Sequence, residues 1–289
     1  MGRSYLRWPV STILLFSVCL AAPAAQNPAV QTPPAQPGAA TAAPEPLSDA
    51  FIENFLRRAR VGKTKGTKKG ITGSREAMLS AGTLTHKAHI QQIDETVKQF
   101  VSMSGTEFNF RDSWMFNVAG YRIDRLLGLN LVPVSVERSW QGEDGSFTWW
   151  VDDVMMDEGE RLKQKLGVPA PNLEVWNQQL PLVRIFDQLI ANIDRNGQNL
   201  VITTDWRVWA IDHTRAFRTN TELKTPINIT RCDRQVLERL KALDKPTLTR
   251  ELRKYLTPYQ IDALLARRDQ IVSILEKAGP AALFDRKEN

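Results

Sequence analysis

The sequence predicts an α+β protein with a small N-terminal lobe built on a sheet and a mainly helical C-terminal lobe. Several segments before residue 152 alternate apolar and polar residues with the period of two that is typical of strands. The segments after residue 233 carry apolar stripes at helical spacing instead. Between these regions, residues 186–217 combine the end of an apolar helix, a polar turn and a short hairpin. We therefore expect the lobes to cover residues 49–152 and 153–289.

The first 24 residues are typical of a secretory signal peptide. Two arginines precede an apolar run over residues 10–22, which is shorter than the roughly 20 residues of a membrane-spanning helix. Small residues at 22–24 predict cleavage after Ala24 or Ala25. We expect an exported protein, periplasmic or extracellular, that is tethered to the membrane if this segment stays uncleaved.

The composition of the full sequence of 289 residues limits the possible classes of protein. Its 42% apolar content is enough for a sizeable core, whereas residues 25–48 are rich in Pro and Ala and predict a linker. Without the signal segment, which has two arginines and no acids, the net charge of +6 becomes +4. Cys232 is then the only cysteine, so no internal disulfide is expected, and we interpret it as a small apolar filler. Zinc-spaced cysteines, the GxSxG elbow and the Rossmann fingerprint are all missing from the sequence.

The predicted N-terminal lobe opens with an amphipathic helix over residues 51–60. A loop rich in glycine and lysine, including Lys63 and Lys69, follows as a phosphate-binding loop or as a solvated basic loop that contacts an anionic surface. Segments 75–79 and 83–93 predict a hairpin. His86 and His89 lie three apart on its second strand, so they point to opposite faces and are not expected to chelate a metal together.

The rest of the chain reads as helices and short strands. Asp112 and Ser113 begin a predicted helix that ends at Leu127. Two strands over 131–138 and 146–152 follow. The other predicted elements are helices, over 153–166, 180–193, 234–243, 247–256 and 258–277.

The polar groups that carry chemistry lie in residues 186–217. Asp194 and Asn199 are five positions apart, and Asp212 follows the second strand of the predicted hairpin. This D-x-x-x-x-N spacing with a later Asp is typical of phosphoryl transfer, which needs positioning and charge rather than covalent help. We assign Asp194 as the base near an acceptor hydroxyl, Asn199 and Asp212 as ligands of Mg²⁺, and Arg195 as a support of the loop. The alternative is an ordinary polar turn followed by a hairpin.

The segments D-Q-L-I-A-N-I-D-R-N-G-Q-N-L-V-I and W-A-I-D-H-T-R-A-F resemble the type II phosphatidylinositol 4-kinases. They are also similar to HipA-type kinases and to secretory-pathway kinases of the Golgi casein kinase type, in which N-x-D-R replaces H-R-D. The resemblance covers roughly residues 75–217. It implies a protein-kinase-like fold with a helix C in the small lobe, the use of ATP with Mg²⁺ or Mn²⁺, and a hydroxyl acceptor.

The resemblance also implies roles in the small lobe. Residues 150–153 would be the hinge, where Val151 and Asp152 contact the adenine. Lys87 or Arg111 would contact the phosphates. The glutamate that pairs with that cation falls on Asn117, so the sequence departs from the kinase pattern here.

Three functions follow from these patterns. The first is an exported ATP- and Mg²⁺-dependent phosphotransferase whose acceptor is a protein Ser/Thr, a lipid headgroup or a sugar. The second is a pseudokinase that binds a nucleotide or a partner in the cell envelope, which the departure at Asn117 favours. The third is an anionic-polymer binder using the Lys63 to Lys69 loop, but a net charge of +4 is modest, so no specific nucleic-acid binding is expected. We expect a monomer.

Overall fold

The structure is a computed structural model that describes residues 47–66, 74–102, 105–193 and 195–287. Helix α1 (Asp49–Arg58) begins at Ser48, whose hydroxyl accepts a hydrogen bond from the backbone N–H of Phe51. The predicted basic loop is a strand over its first part, β1 (Arg60–Gly66). The remainder of that loop, 67–73, lies outside the described residues.

An antiparallel sheet of five strands forms the N-terminal lobe, in the order β1-β2-β3-β7-β6. The further strands are β2 (Arg75–Ala81), β3 (Leu84–Gln91), β6 (Ser135–Trp140) and β7 (Glu143–Trp149). One face carries apolar residues that pack against α1, as the contact of Phe55 with Trp149 shows. The other face carries polar residues from three strands: Glu76 of β2, Lys87 and His89 of β3, and Ser146 and Thr148 of β7.

A two-stranded hairpin that the sequence did not predict lies between β3 and the next helix. It consists of β4 (Asp94–Ser102) and β5 (Gly105–Ser113). The expectation that Asp112 and Ser113 begin a helix was wrong, because both pair with β4. Ser113 also donates its backbone N–H to the carbonyl of Thr214 at 2.8 Å, which ties the base of this hairpin to the segment after Asp212.

Helix α2 (Met115–Leu127) occupies the position of the expected helix C and ends at Gly128, whose φ of 61° lies in the left-handed region. Three consecutive carbonyls at this end accept side-chain hydrogen bonds from the C-terminal lobe. Arg239 donates to Leu127 at 3.1 Å, and Arg286 donates to Gly128 and Leu129 at 2.8 and 2.9 Å. The end of α2 is therefore bound by two guanidinium groups from other parts of the chain.

The C-terminal lobe is mainly helical. Its helices are α3 (Glu158–Lys163), α4 (Ala170–Leu189), α5 (Arg234–Ala242), α6 (Lys245–Leu252) and α7 (Pro258–Ala278). Its strands are β8 (Val154–Asp157), β9 (Leu200–Thr203), β10 (Val208–Ala210), β11 (Cys232–Asp233) and β12 (Leu283–Phe284). The helix predicted over 153–166 was wrong in its first part, since β8 pairs with β9 there. Helix α4 begins earlier than predicted and holds Pro181 in its interior.

Cys232 is fully buried, and this burial raises the pKa of its thiol to about 12. In the described part of the chain, no helix is both long and apolar enough to cross a membrane.

Candidate active site

The turn after α4 and the β9–β10 hairpin bring Asn199 and Asp212 to one end of the hairpin. Leu200 pairs with Ala210, and in the next register position the backbone N–H of Ile211 donates to the carbonyl of Asn199 at 3.0 Å. Asn199 thus lies opposite Ile211, directly before Asp212. Asp194 lies outside the described residues, but the structure places its neighbours on both sides.

Arg195 connects the parts of this loop. Its guanidinium group forms a fork with Asp187 of α4, with nitrogen–oxygen distances of 3.0 to 3.2 Å. The same group donates to the carbonyls of Asn199 and Ile211, at 2.9 and 2.6 Å. Because both side chains of the ion pair are about nine-tenths buried, these bonds are well shielded from water. Arg195 therefore fixes the positions of the two segments that carry Asn199 and Asp212.

Asp212 has an unusual backbone conformation, with φ at 57° in the left-handed region. Strained residues of this kind persist only where the surrounding structure holds them, and they are frequent in active sites. The Asp212 carboxylate is exposed and accepts one hydrogen bond, from the Thr214 hydroxyl at 3.2 Å. The Asn199 side chain has no hydrogen-bond partner in the described part of the chain.

The available donors suit a hard cation. An Asp and an Asn supply oxygen ligands, which Mg²⁺ prefers, and phosphate oxygens and water can complete its coordination. Among the described residues there is no cluster of three His, Cys, Asp or Glu side chains that could hold a metal by itself. The two oxygen donors therefore fit Mg²⁺ bound together with a phosphate-bearing substrate.

His213, the residue after Asp212, is buried and packs against α2 and α4. Arg195 donates to its Nε2 atom at 2.9 Å, and the ring meets that of Phe186 edge to face. A Cβ atom at Gly120 would lie 3.4 Å from this ring, which is an ordinary van der Waals contact, so α2 packs directly against the ring. Burial, and then the positive charge of Arg195, holds the pKa of His213 well below its usual value. The ring is thus a neutral packing and hydrogen-bonding group.

Asn117 links α2 to the same segment. Its side-chain oxygen accepts from the backbone N–H of His213 at 2.9 Å, and its amide nitrogen donates to the Ser146 hydroxyl at 3.2 Å. Both polar atoms of this buried residue are thus used inside the protein. Asn117 holds the position next to Asp212 instead of pairing with a cation.

The polar face of the sheet carries the candidates for a phosphate contact. Lys87 forms an ion pair with Glu76 of β2 at 3.2 Å and is about half exposed. Burial raises the pKa of Glu76, but Lys65 and Lys87 outweigh it, so the pKa lies below its usual value. The Lys87 ammonium also lies 5.8 Å from the Trp150 ring, on the hinge side of the sheet.

We did not predict a role for His89, which lies two residues further along β3. It is on the same face as Lys87, and the Asp212 carboxylate acts on its pKa. Burial lowers the pKa of His89, although the Asp212 carboxylate opposes this effect. The alternation along β3 was the available signal, because i and i+2 share a face. His86 lies on the opposite face, where it stacks on Trp149.

Arg111 lies on β5, in the two-stranded hairpin, and not on the five-stranded sheet that carries Lys87. It forms a fork with Asp94 of β4, at 2.8 and 3.0 Å, and lies over the ring of Phe116. The next residue, Asp112, is buried and accepts from Arg215 at 2.7 Å. The structure thus does not bring Arg111 together with Asn199 in any contact that it describes.

The hinge segment connects β7 to β8. The backbone N–H of Trp150 donates to the carbonyl of Lys87 at 3.3 Å. Neither peptide group of Val151 has a hydrogen-bond partner in the described part of the chain. The Asp152 carboxylate is bonded to the Nε2 atom of His86 at 2.9 Å. Val151 therefore offers a backbone donor and acceptor, while Asp152 fixes the hinge to β3.

Two solved structures resemble this chain along most of its length. One is Fam20 from hydra, solved with a sugar: 14% of residues are identical, the TM-score is 0.60, and the match covers 83% of this chain and 93% of the other. The second is the Golgi casein kinase, with 13% identity, a TM-score of 0.54 and coverage of 83% and 79%. No protein-family model matches the sequence, and no curated protein matches it.

At this level of identity the similarity shows the fold. The chain has an atypical kinase-like fold, with a sheet lobe and a helical lobe. The predicted fold class and the predicted resemblance to atypical kinases are confirmed to that extent.

Proposed function

We propose that this protein is an exported phosphotransferase that moves the γ-phosphoryl group of ATP to a hydroxyl acceptor. One observation carries the proposal, the backbone hydrogen bond between Ile211 and Asn199. Arg195 donates to the carbonyls of both residues, so the amide oxygen of Asn199 and the Asp212 carboxylate are held at one end of the hairpin. Oxygen ligands at such a point are what a kinase needs next to the phosphates. The kinase-like fold supports the same assignment.

In the proposed reaction, the acceptor oxygen attacks the γ-phosphorus, the bond from this phosphorus to the bridging oxygen breaks, and ADP leaves. The proton of the acceptor hydroxyl goes to Asp194, in the position next to Arg195. Asn199 and Asp212 would hold Mg²⁺ or Mn²⁺, which, when bound, neutralises charge on the phosphate oxygens. The free peptide groups of Val151 would bind the adenine edge. The role of Asp194 as proton acceptor is proposed from its spacing to Asn199 in the sequence.

The sheet side would contact the phosphates through His89 or Lys87. The Asp212 carboxylate acts on the pKa of His89, whereas Lys87 lies beside Trp150. Arg111 is the less favoured of the predicted cations, since its guanidinium group is bound to Asp94. Asn117 would act through the protein, by holding the backbone of His213.

A second candidate function is a binding protein that holds nucleotide without transferring phosphate. The specific observation in its favour is that Asn117 stands where a kinase has a glutamate and has both polar atoms engaged. A neutral His89 would also attract phosphates less than a lysine does.

The test uses the purified chain with ATP and either Mg²⁺ or Mn²⁺. Acceptors include casein, a simple sugar and phosphoinositide vesicles, because one structural neighbour is a casein kinase and another was solved with a sugar. Turnover that Asp194→Ala abolishes, with nucleotide affinity unchanged, supports the transferase. Nucleotide binding without turnover supports the binding protein. If the wild type binds no nucleotide, both ideas fail.

A further inference from the structure

We infer that Arg267 of α7 is a positioning residue for this site. The residue is fully buried, and its burial lowers the pKa of the guanidinium group to about 10. No carboxylate forms an ion pair with it in the described part of the chain. A buried charge of this kind is costly unless its hydrogen bonds are satisfied, so the groups that it binds are informative.

Its partners are backbone carbonyls from two separate segments. The Nε atom donates to Leu189, the last residue of α4, at 2.9 Å. The Nη1 atom donates to Arg218 at 3.1 Å and to Asn220. Gln260, two turns earlier on the same helix, donates to the carbonyl of Phe217 at 2.8 Å. Helix α7 thus binds the chain just before the turn with Asp194 and just after the segment with Asp212.

Both of these segments contain a strained residue. Ala191 has φ at 50° and Phe217 has φ at 56°, in the region that residues other than glycine rarely adopt. The two points touch, because the backbone N–H of Phe217 donates to the carbonyl of Ile190 at 2.6 Å. Each such conformation costs about 1 to 3 kcal/mol and needs neighbours that hold it. Arg267 supplies support of this kind, since it bonds to the carbonyl two residues before Ala191 and to the carbonyl of the residue after Phe217.

The contacts of Arg267 do not depend on the proposed function, but their effect on catalysis does. If the site transfers phosphate, Arg267 sets the distance between the proton acceptor and the metal ligands without touching either. Arg195 joins the same segments from the other side, through Asp187, and Arg267 and Asp187 line one small cavity beside the turn. The two arginines therefore hold the loop from two directions.

The chain offers a matched control in the next residue of α7. Arg268 is also largely buried and also donates to two backbone carbonyls, those of Leu240 and Leu243. These belong to α5 and the turn after it, away from Asn199 and Asp212. Arg267→Lys and Arg268→Lys each keep a positive charge and remove a guanidinium fork from the same helix.

The experiment is amide hydrogen exchange of the full chain, which does not require activity. Arg267→Lys is expected to speed exchange roughly tenfold in peptides over 189–193 and 217–221, and to leave 240–243 unchanged. Arg268→Lys should give the reverse pattern. Gln260→Met removes the bond to Phe217 and the capping bonds that Gln260 accepts from Thr257. It provides a milder variant if Arg267→Lys does not fold, and its effect should stay within 217–221 and the first turn of α7.

Equal deprotection in the two lysine variants, or none over 189–193, overturns the positioning role. In a wild type that turns over nucleotide, Arg267→Lys should also lower kcat roughly tenfold with little change in KM. An inactive wild type with the selective exchange pattern would refute the proposed phosphotransferase activity and still support the positioning role of Arg267.

Discussion

The loop side of the site and the sheet side hold their polar groups by different means. On the loop side, Arg195 and Arg267 bind backbone carbonyls, so that Asn199 and Asp212 stay in place. On the sheet side, Lys87 is half exposed and paired with Glu76. Burial lowers the pKa of His89 there, and the Asp212 carboxylate opposes this effect. The loop side has the D-x-x-x-x-N spacing with a later Asp, whereas Asn117, beside the sheet, stands where the kinase pattern predicts a glutamate.

This difference indicates which groups tolerate change. A group held by buried charge-assisted bonds is costly to replace, while an exposed ion pair contributes about 0 to 1 kcal/mol. We therefore expect large effects from the loop side and small ones from the sheet side.

The largest effect is expected for Asp212→Asn, which removes the negative charge from the proposed metal site. Turnover of ATP should fall roughly 10²- to 10³-fold, because the metal would be held more weakly beside the phosphates. The control is Asp205→Asn, at the other end of the same hairpin, where the carboxylate bonds to Thr203 and to the backbone of Arg207. Steady-state assays at several Mg²⁺ concentrations measure both variants. Similar losses in the two would place the metal elsewhere.

Next is the Arg195→Met variant, which leaves Asp187 as an unpaired buried carboxylate. The free energy of unfolding should fall by about 3 kcal/mol in urea titrations. Arg207→Met tests the same hairpin with a more exposed arginine, bonded to Asn130 and stacked on Trp209, and should cost much less. Equal losses would mean that Arg195 contributes no more than an ordinary surface arginine.

The pH dependence of stability tests the neutral state of His213. The native ring stays neutral, whereas the unfolded ring takes up a proton below its usual pKa of about 6.5. Stability from this group is therefore complete above that pH and is lost as the pH falls. Between pH 7 and 5 the wild type should lose up to about 2 kcal/mol relative to His213→Gln. Parallel curves for the two proteins, from urea titrations across this range, would contradict the prediction.

The smallest effects should come from β3. His89→Lys places an ammonium near Asp212 and should raise nucleotide affinity roughly tenfold, if this position faces the phosphates. Lys87→Met, which removes the half-exposed ion pair with Glu76 and the contact with the Trp150 ring, should change affinity about twofold or less. Calorimetric titration with ATP and Mg²⁺ distinguishes the two. The reverse ranking would identify Lys87 as the phosphate contact.

The sequence predicted what is encoded locally. The closeness of Asn199 and Asp212 could be predicted because a turn and a hairpin set it by local spacing, whereas their role as metal ligands stays a prediction. The partners of Arg195 and Arg267 were not predicted, since backbone carbonyls have no sequence signature. The β4–β5 hairpin was missed because Asp112 and Ser113 are equally typical of a helix start.

His89 was passed over for a different reason. The alternation along β3 separates His89 from His86, which argues against a metal pair, and it also places His89 on the same face as Lys87. Which face of β3 meets Asp212 depends on how the sheet packs on the second lobe. That relation is tertiary and cannot be obtained from one strand.

The two guanidinium groups at the end of α2 have a mechanical consequence. An outward rotation of this helix would break the hydrogen bonds of Arg239 and Arg286 to three carbonyls. It would also break the bond between Asn117 and the backbone of His213. At about 1 kcal/mol or more for each bond, such a rotation should be rare at equilibrium. We expect relaxation-dispersion NMR to find α2 rigid on the millisecond timescale, with and without nucleotide. The position of α2 would then be the same with and without nucleotide, since three of its terminal carbonyls are bound by the C-terminal lobe.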